Sequence, residues 1–253
     1  VDNHMVQNLI TVWPTGQVQD EEPLKLIVES EPGAEVSYPP AIMSSTSKDP
    51  LTLLCRIFTG KVLCWRLNSA CSQLVSESKL ISSGGPMAIS ANGRWAVVSD
   101  RGAEGSKHIE IWSFENSGGR PPRTHPVRVA TLERRPQSVA VIERGAGMDS
   151  CFIALAEEVV AGGPPTPIEV MTVQVDGSVG SAYRMHPESP CSMLSFCHDS
   201  EGFLMSGHTD GLVIVYNLQQ GQLRLSHDDE NIRSASISMD RTLIVSTVGS
   251  ILR

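Results

Sequence analysis

The sequence predicts an all-β chain, a β-propeller of four-stranded antiparallel blades. Three observations carry this expectation. One strand template recurs at spacings of 45 to 59 residues, a second apolar template lies upstream of several copies, and no stretch shows the 3.6-residue period of a long amphipathic helix.

The first template reads apolar, any, apolar, ring or thioether, any, apolar. Val213, Val215, Tyr216 and Leu218 fit it in LVIVYNL. Ile109, Ile111, Trp112 and Phe114 fit it in HIEIWSF, and Val62, Cys64, Trp65 and Leu67 in KVLCWRL. Ile168, Val170, Met171 and Val173 fit it in PIEVMTV. Ile10, Val12 and Trp13 fit all but its last place. Chance alternation, which any β protein shows, does not readily put three of four tryptophans at one template position.

The second template reads apolar, small, apolar: Met87-Ala88-Ile89, Val139-Ala140-Val141, Leu194-Ser195-Phe196 and Ala235-Ser236-Ile237. Three copies begin near a proline, Pro86, Pro136 or Pro190. Polar turns follow in several, and then another apolar strand, as in Trp95-Ala96-Val97-Val98-Ser99, Phe203-Leu204-Met205-Ser206 and Leu243-Ile244-Val245-Ser246. Each unit thus reads strand a, turn, strand b, turn, strand c, and an outer strand d such as Val127-Arg128-Val129-Ala130 or Leu223-Arg224-Leu225. The whole chain, 1–253, reads as one domain with blades at about 36–80, 86–132, 137–185, 190–229, and 232–253 completed by 6–30.

With these repeats in place, the chain resembles the WD-repeat family of β-propellers. FLMSGHTDGLVIVYNL (203–218) runs through the family's b-turn-c pattern without a gap. Ser206 stands at the family's serine, Asp210-Gly211 at its turn, and Tyr216-Asn217 where it prefers Trp-Asp. Residues 53–67 align likewise, with Cys55, Thr59-Gly60 and Trp65-Arg66 at those places. The resemblance covers most of the chain, but no unit keeps the Gly-His opening and the Trp-Asp exit together. Of the His-Ser-Asp-Trp network that ties a blade in the family, only the Ser206/Asp210 pair remains, with Tyr216 in place of Trp. The resemblance therefore implies blades held mainly by apolar packing; the repeat position places Trp13, Trp65 and Trp112 between blades, Met171 and Tyr216 hold the same template position, and Trp95, on a b strand, is expected in the core.

The first c strand lacks a and b strands before it, and the last a-b pair lacks a complete c strand after it. Completion of the C-terminal blade by the N-terminal strand removes an open sheet edge. The alternative is a larger ring, since the resemblance implies that seven blades are commoner than five. The ends, Val1 and the strand-like Ser250-Ile251-Leu252-Arg253, read as those of a piece of a longer chain. Insertions fall between templates: 100–108, the Gly/Pro/Arg stretch 115–125 expected in solvent, Ala161-Gly162-Gly163-Pro164-Pro165-Thr166-Pro167, and an acidic connector at 20–38.

A net charge of −8 argues against nucleic acid or an anionic membrane surface as main partner. No apolar run reaches membrane-spanning length, so no membrane insertion is expected. Six cysteines without a Cys-x-x-Cys pair, and no Asn-x-Ser/Thr sequon, point to a reducing compartment, cytoplasm or nucleus.

No catalytic, cofactor or metal motif is visible. Cys191, Cys197 and His198 sit too far apart along one strand for a structural zinc site, and buried thiols are the better reading, also for Cys55 and Cys64. Ser206, His208 and Asp210 have the residue types of a hydrolase triad. They crowd into one turn, whereas a triad converges from separate elements. There is no Gly-x-Ser-x-Gly, phosphate loop or His-Glu-x-x-His.

The leading expectation is therefore a non-catalytic protein–protein interaction scaffold, a subunit of a multiprotein assembly whose partners are proteins or peptides. Its contacts are expected on the b–c turns, with Arg56, Arg101 and His208, and on the connections into strand a, with Arg135 and Arg233. A second reading gives Arg120, Arg123, Arg128, Arg134 and Arg135, beside His125, a phosphorylated or acidic ligand. The competing reading of that stretch is a solvated loop feeding an outer strand; the acidic connector 20–35 is open to two readings, its partner in the same chain or a second docking surface. A third reading is an accessory propeller of an enzyme whose catalytic domain lies outside this chain.

Overall fold

The computed structural model describes residues 7–12, 24–29, 41–45, 51–56, 61–67, 74–80, 84–100, 108–114, 126–144, 149–197, 202–218, 221–226, 232–237, 244–248 and 251–252. These residues are all β, with no helix among them. Sheet one joins β3 (Ala41–Ser44), β4 (Leu51–Arg56), β5 (Val62–Leu67) and β6 (Leu74–Leu80). Sheet two joins β7 (Gly84–Ile89), β8 (Trp95–Asp100), β9 (His108–Ser113) and β10 (Val127–Leu132). Sheet three holds β11 (Pro136–Glu143), β12 (Ser150–Glu157), β13 (Ile168–Gln174) and β14 (Val179–Met185). Sheet four holds β15 (Cys191–Phe196), β16 (Phe203–His208), β17 (Leu212–Asn217) and β18 (Gly221–Ser226). Each is an antiparallel meander in chain order. The recurring ring-position strands β5, β9, β13 and β17 are the third strands of their sheets.

Two smaller sheets complete the described strands, and the second of them packs against sheet four. Among the described residues β1 (Gln7–Val12) pairs with β2 (Leu24–Glu29) alone. β19 (Ile232–Ile237), β20 (Ile244–Val248) and β21 (Ile251–Leu252) form a three-stranded sheet. The free edge of β20, which the sequence offers to the N-terminal strand, is taken by Ile251–Leu252, with Val248 opposite Ile251. Two residues join these strands, so pairing them closes a far smaller loop than recruiting a strand from the other end of the chain.

First strands of successive sheets touch: β3 with β7, β7 with β11, β11 with β15, β15 with β19. The fourth strands β10 and β14 are largely exposed. This is the radial order of a propeller, inner strand to outer.

Each sheet is apolar on both faces, and strand alternation divides the side chains between two neighbours. In sheet three, Ala140, Ile142, Phe152, Ala154, Ile168 and Val170 pack toward sheet four. Val139, Val141, Cys151, Ile153, Leu155, Met171 and Val173 pack toward sheet two. The ring position faces the preceding sheet: Trp112 packs against the cluster that holds Leu54, Val62 and Cys64 of sheet one, Met171 shares a cluster with Trp95 and Val97 of sheet two, and Tyr216 one with Phe152 and Val170 of sheet three. Trp65 is buried on the face of sheet one opposite Val62 and Cys64. Trp95 is wholly buried; Trp13 lies outside the described residues. The described cysteines, Cys55, Cys64, Cys151, Cys191 and Cys197, are buried and unbridged. Burial pushes Cys55 up to about 11 and Cys64 and Cys191 up to about 12, so these thiols stay protonated and act as packing groups.

Polar side chains tie the sheets together. Thr52 donates from Oγ1 to the Gly93 carbonyl (3.3 Å), Arg56 from Nη1 to the Gly85 carbonyl (2.5 Å), and the Leu194 N–H donates to Ser138 Oγ (2.9 Å). The Arg66 guanidinium lies 5.5 Å from the Phe114 ring centre.

His208 is wholly buried, at the end of β16. Its Nδ1 lies 3.0 Å from the Ser189 carbonyl and its Nε2 2.7 Å from Ser206 Oγ. A carbonyl only accepts, so Nδ1 carries the proton and Nε2 accepts from Ser206. The residual tie expected between Ser206 and Asp210 is replaced by this one. Asp210 is exposed and caps its own turn, accepting from the Leu212 N–H at 3.1 Å. The reason is alternation: residues 204, 206 and 208 share a face that points inward, and 210 lies beyond the strand.

Two predictions follow from these contacts. At Gly93 φ is +73°, and a Cβ would lie 2.5 Å from Thr52 Oγ1; at Gly162 φ is +75° with open space around it. Gly162→Ala should cost about 1–2 kcal/mol for backbone strain alone, and Gly93→Ala at least about 1 kcal/mol more, read from urea unfolding midpoints. Equal losses would mean that the sheet one–sheet two contact at Thr52 yields freely. His208→Ala leaves the Ser206 hydroxyl and Ser189 carbonyl unpaired beside a cavity, an expected loss of about 2–4 kcal/mol. A loss below about 0.5 kcal/mol, the size of a surface change, would contradict the buried role.

Candidate functional site

Where sheets two and three meet, the meander brings four segments of chain to one edge. The connection 133–135 carries Arg134 and Arg135 into β11, β12 ends at Glu157, β13 begins at Ile168 and Glu169, and β14 ends at Arg184 and Met185. The register sets Ala156 opposite Ile168 and Glu169 opposite Arg184. Glu157 and Glu169 share the strand parity of Leu155 and Met171, so their carboxylates stand on the face toward sheet two.

Arg134 reaches across this junction. Its Nη1 lies 2.9 Å from Glu157 Oε1 and its Nη2 3.2 Å from Glu169 Oε2, while Arg184 Nε lies 3.5 Å from Glu169 Oε1. Beside them Arg135 pairs with Glu158. Together Arg134, Leu155, Glu157, Pro167, Glu169 and Arg184 line a small cavity of about 90 Å³. These ion pairs are partly solvated, and each exposed pair contributes roughly 0–1 kcal/mol. They define the shape of the surface more than the stability of the fold.

Above the junction rises the b–c loop 158–167. The Gly163 N–H donates to the Val160 carbonyl at 2.7 Å, with Gly162 at the positive φ that a type II turn requires at its third residue. Pro164, Pro165 and Pro167 fix three further φ angles. Two hydrogen bonds anchor the base: Thr166 Oγ1 to the Glu157 carbonyl (2.8 Å) and the Glu158 N–H to the Arg135 carbonyl (3.0 Å). The result is a braced loop with an apolar tip. Val160 is 81% exposed, against 37–40% for the other exposed large apolar side chains among the described residues.

The arginines read from the sequence separate here. Arg134 and Arg135 come together at this junction. Arg128 lies on β10 and pairs with the buried Glu110 at 2.6 Å. All three thus meet strand and loop glutamates of their own chain; apart from β2, the acidic connector lies outside the described residues. An acidic ligand would have to displace those carboxylates. Arg56 spans sheets one and two, and His208, expected at a contact turn, is buried and cannot reach a partner. Arg233 falls within β19 and not in the connection before it. Arg101, Arg120, Arg123, His125 and His198 lie outside the described residues. No group of three or more metal-ligating side chains assembles among the described residues. The loop tip itself escaped the sequence reading, although Gly-Gly-Pro-Pro-Thr-Pro marked the break in the repeat.

No family model matches the chain, and no curated protein does. Solved structures do. The β-propeller domain of Cps50 (Swd1) from Myceliophteria thermophila superposes with a TM-score of 0.51 at 13% identity, over 82% of this chain and 61% of that one. Sqt1 from Chaetomium thermophilum gives 0.57 at 14% identity, over 95% and 61%. A chain of a mitotic checkpoint complex gives 0.51 at 13%, over 81% and 57%. The matches thus span about 60% of the length of those proteins, and at such identities the likeness is one of fold. With its radial strand order and its recurring ring position, the chain has the WD-repeat-like β-propeller fold.

Proposed function

We propose that this chain is a non-catalytic interaction scaffold, a subunit of a multiprotein assembly, and that it docks a partner protein on the face carrying the loop 158–167. One observation carries the reading: an apolar side chain, Val160, held almost fully in solvent on a loop braced by a turn, three prolines and two anchoring hydrogen bonds. A loop already ordered loses little entropy on docking, and its uncharged tip suits an apolar socket. Arg135 stays on this face as a rim contact, half-exposed beside Glu158. One solved neighbour of the same fold belongs to a named complex, which supports the reading by fold analogy alone.

Among the described residues the serine–histidine contact suggestive of chemistry, Ser206 with His208, is sealed in the core, which also favours docking over catalysis. The unbridged thiols are in keeping with a cytoplasmic or nuclear home. The paired state of Arg128, Arg134 and Arg135 weighs against an acidic ligand.

The test is affinity purification of the natural protein from its own cells at low and high salt, with and without Val160→Asp. A stoichiometric partner should survive high salt and fall at least about tenfold with the substitution, while the unfolding midpoint stays unchanged. A partner equally abundant with Val160→Asp would sink the proposal. Partners lost at high salt alone would restore the arginine reading.

A further inference from the structure

The sequence holds only two Ser/Thr-Pro dipeptides, Thr166-Pro167 and Ser189-Pro190. The fold treats them oppositely. Ser189 is buried, and its carbonyl holds the imidazole of His208, so exposing that segment breaks a core network. Thr166 sits partly exposed on the b–c loop, between Pro165 and Pro167, in a stretch that is neither helix nor strand. Its hydroxyl is held by one hydrogen bond, to the Glu157 carbonyl at 2.8 Å. A threonine followed by proline in a surface loop is the acceptor that proline-directed kinases take.

We propose that Thr166 is a phosphorylation site, and that the added phosphate unlatches the loop 158–167 from its base. In the transfer, Thr166 Oγ1 attacks the γ-phosphorus of ATP. The Oγ1–P bond forms as the bond to the β–γ bridging oxygen breaks, ADP leaves, and the hydroxyl proton passes to the kinase's carboxylate base. The product has lost the donor that held Glu157. It also carries a charge of about −1.5 to −2 beside Glu157 and Glu158. Arg134 is already shared between Glu157 and Glu169, and Arg135 is held by Glu158. Like-charge repulsion therefore acts on the loop's anchor, while the fold beneath is untouched.

The experiment treats the folded protein with a purified proline-directed kinase of the mitogen-activated class and MgATP. Sites are mapped by mass spectrometry, and amide hydrogen exchange is followed across 158–167. Phosphate should enter at Thr166 and not at Ser189, Thr166→Ala should abolish incorporation, and Thr166→Ser should keep it. Exchange in the loop should rise about fivefold or more, the equivalent of losing one ordinary hydrogen bond. Thr166→Val, which lacks the hydroxyl but adds no charge, should give a smaller rise. If the unfolded chain is modified at Thr166 and the native protein is not, the fold occludes the site and the proposal is wrong. If phosphate enters but exchange slows, the arginines have captured it and the unlatching is overturned.

Discussion

The structure rests on one constraint: every complete sheet is apolar on both faces and so cannot be satisfied alone. A sheet with one wet face reads as clean alternation, and its stability can be local. Here Val139 and Ala140, or Ile153 and Ala154, are both buried, one toward each neighbour. Each fully buried large apolar side chain is worth about 1.5–3 kcal/mol, and that gain appears only when the next sheet is in place. Stability therefore accrues at interfaces between repeats, as in other repeat architectures. The ring position follows from this. Trp112, Met171 and Tyr216 are the large groups that span to the preceding sheet, and a small residue there would leave a void.

Apolar packing alone would let neighbouring sheets slide. The polar ties set the fit, because each has a single arrangement in which the buried group is satisfied. Thr52 on the Gly93 carbonyl and Ser138 under the Leu194 amide fix one sheet against the next. Gly93 is glycine for two independent reasons, its positive φ and the approach of Thr52. Gly177, at φ +87°, has the Val129 carbonyl where its Cβ would stand, so the c–d hairpin of sheet three can approach β10 this closely only with glycine there.

Much of this was legible in the sequence, and the failures have physical causes. The third strands were readable because a ring recurs among alternating apolar residues, and the first strands because prolines and polar turns bracket them. β12, SCFIALAE, went unnamed because both of its faces are buried and no alternation marks it. β14 went unnamed because it is nearly all exposed and polar or small. The sequence sets His208 on a contact turn because it precedes Thr-Asp-Gly. Extending the alternation of Leu204 and Ser206 by one step would have put it inside. The partners of the arginines were out of reach of local reading: Arg128 finds Glu110 across 18 residues, and Arg134 finds Glu157 and Glu169 across 23 and 35.

The division of labour between repeat and interruption explains why the candidate site lies where it does. Residues that obey the template are committed to a neighbour on one side or the other, and changing them costs stability. An insertion between strands b and c commits nothing to the core, and its length costs little chain entropy. The stretch Gly162-Gly163-Pro164-Pro165-Thr166-Pro167 breaks the repeat of sheet three, yet the loop is braced at its base by the end of β12, through the Glu157 carbonyl, and by the connection into β11, through the Arg135 carbonyl. Arg134 and Arg135, which lead into the next blade, belong to the same edge because the meander returns every b–c turn to the level of the connection into strand a. A rigid frame, a loop free of core duties and a rim of mutually paired charges are what a docking surface requires. In this chain all three arise from one departure in an otherwise regular pattern.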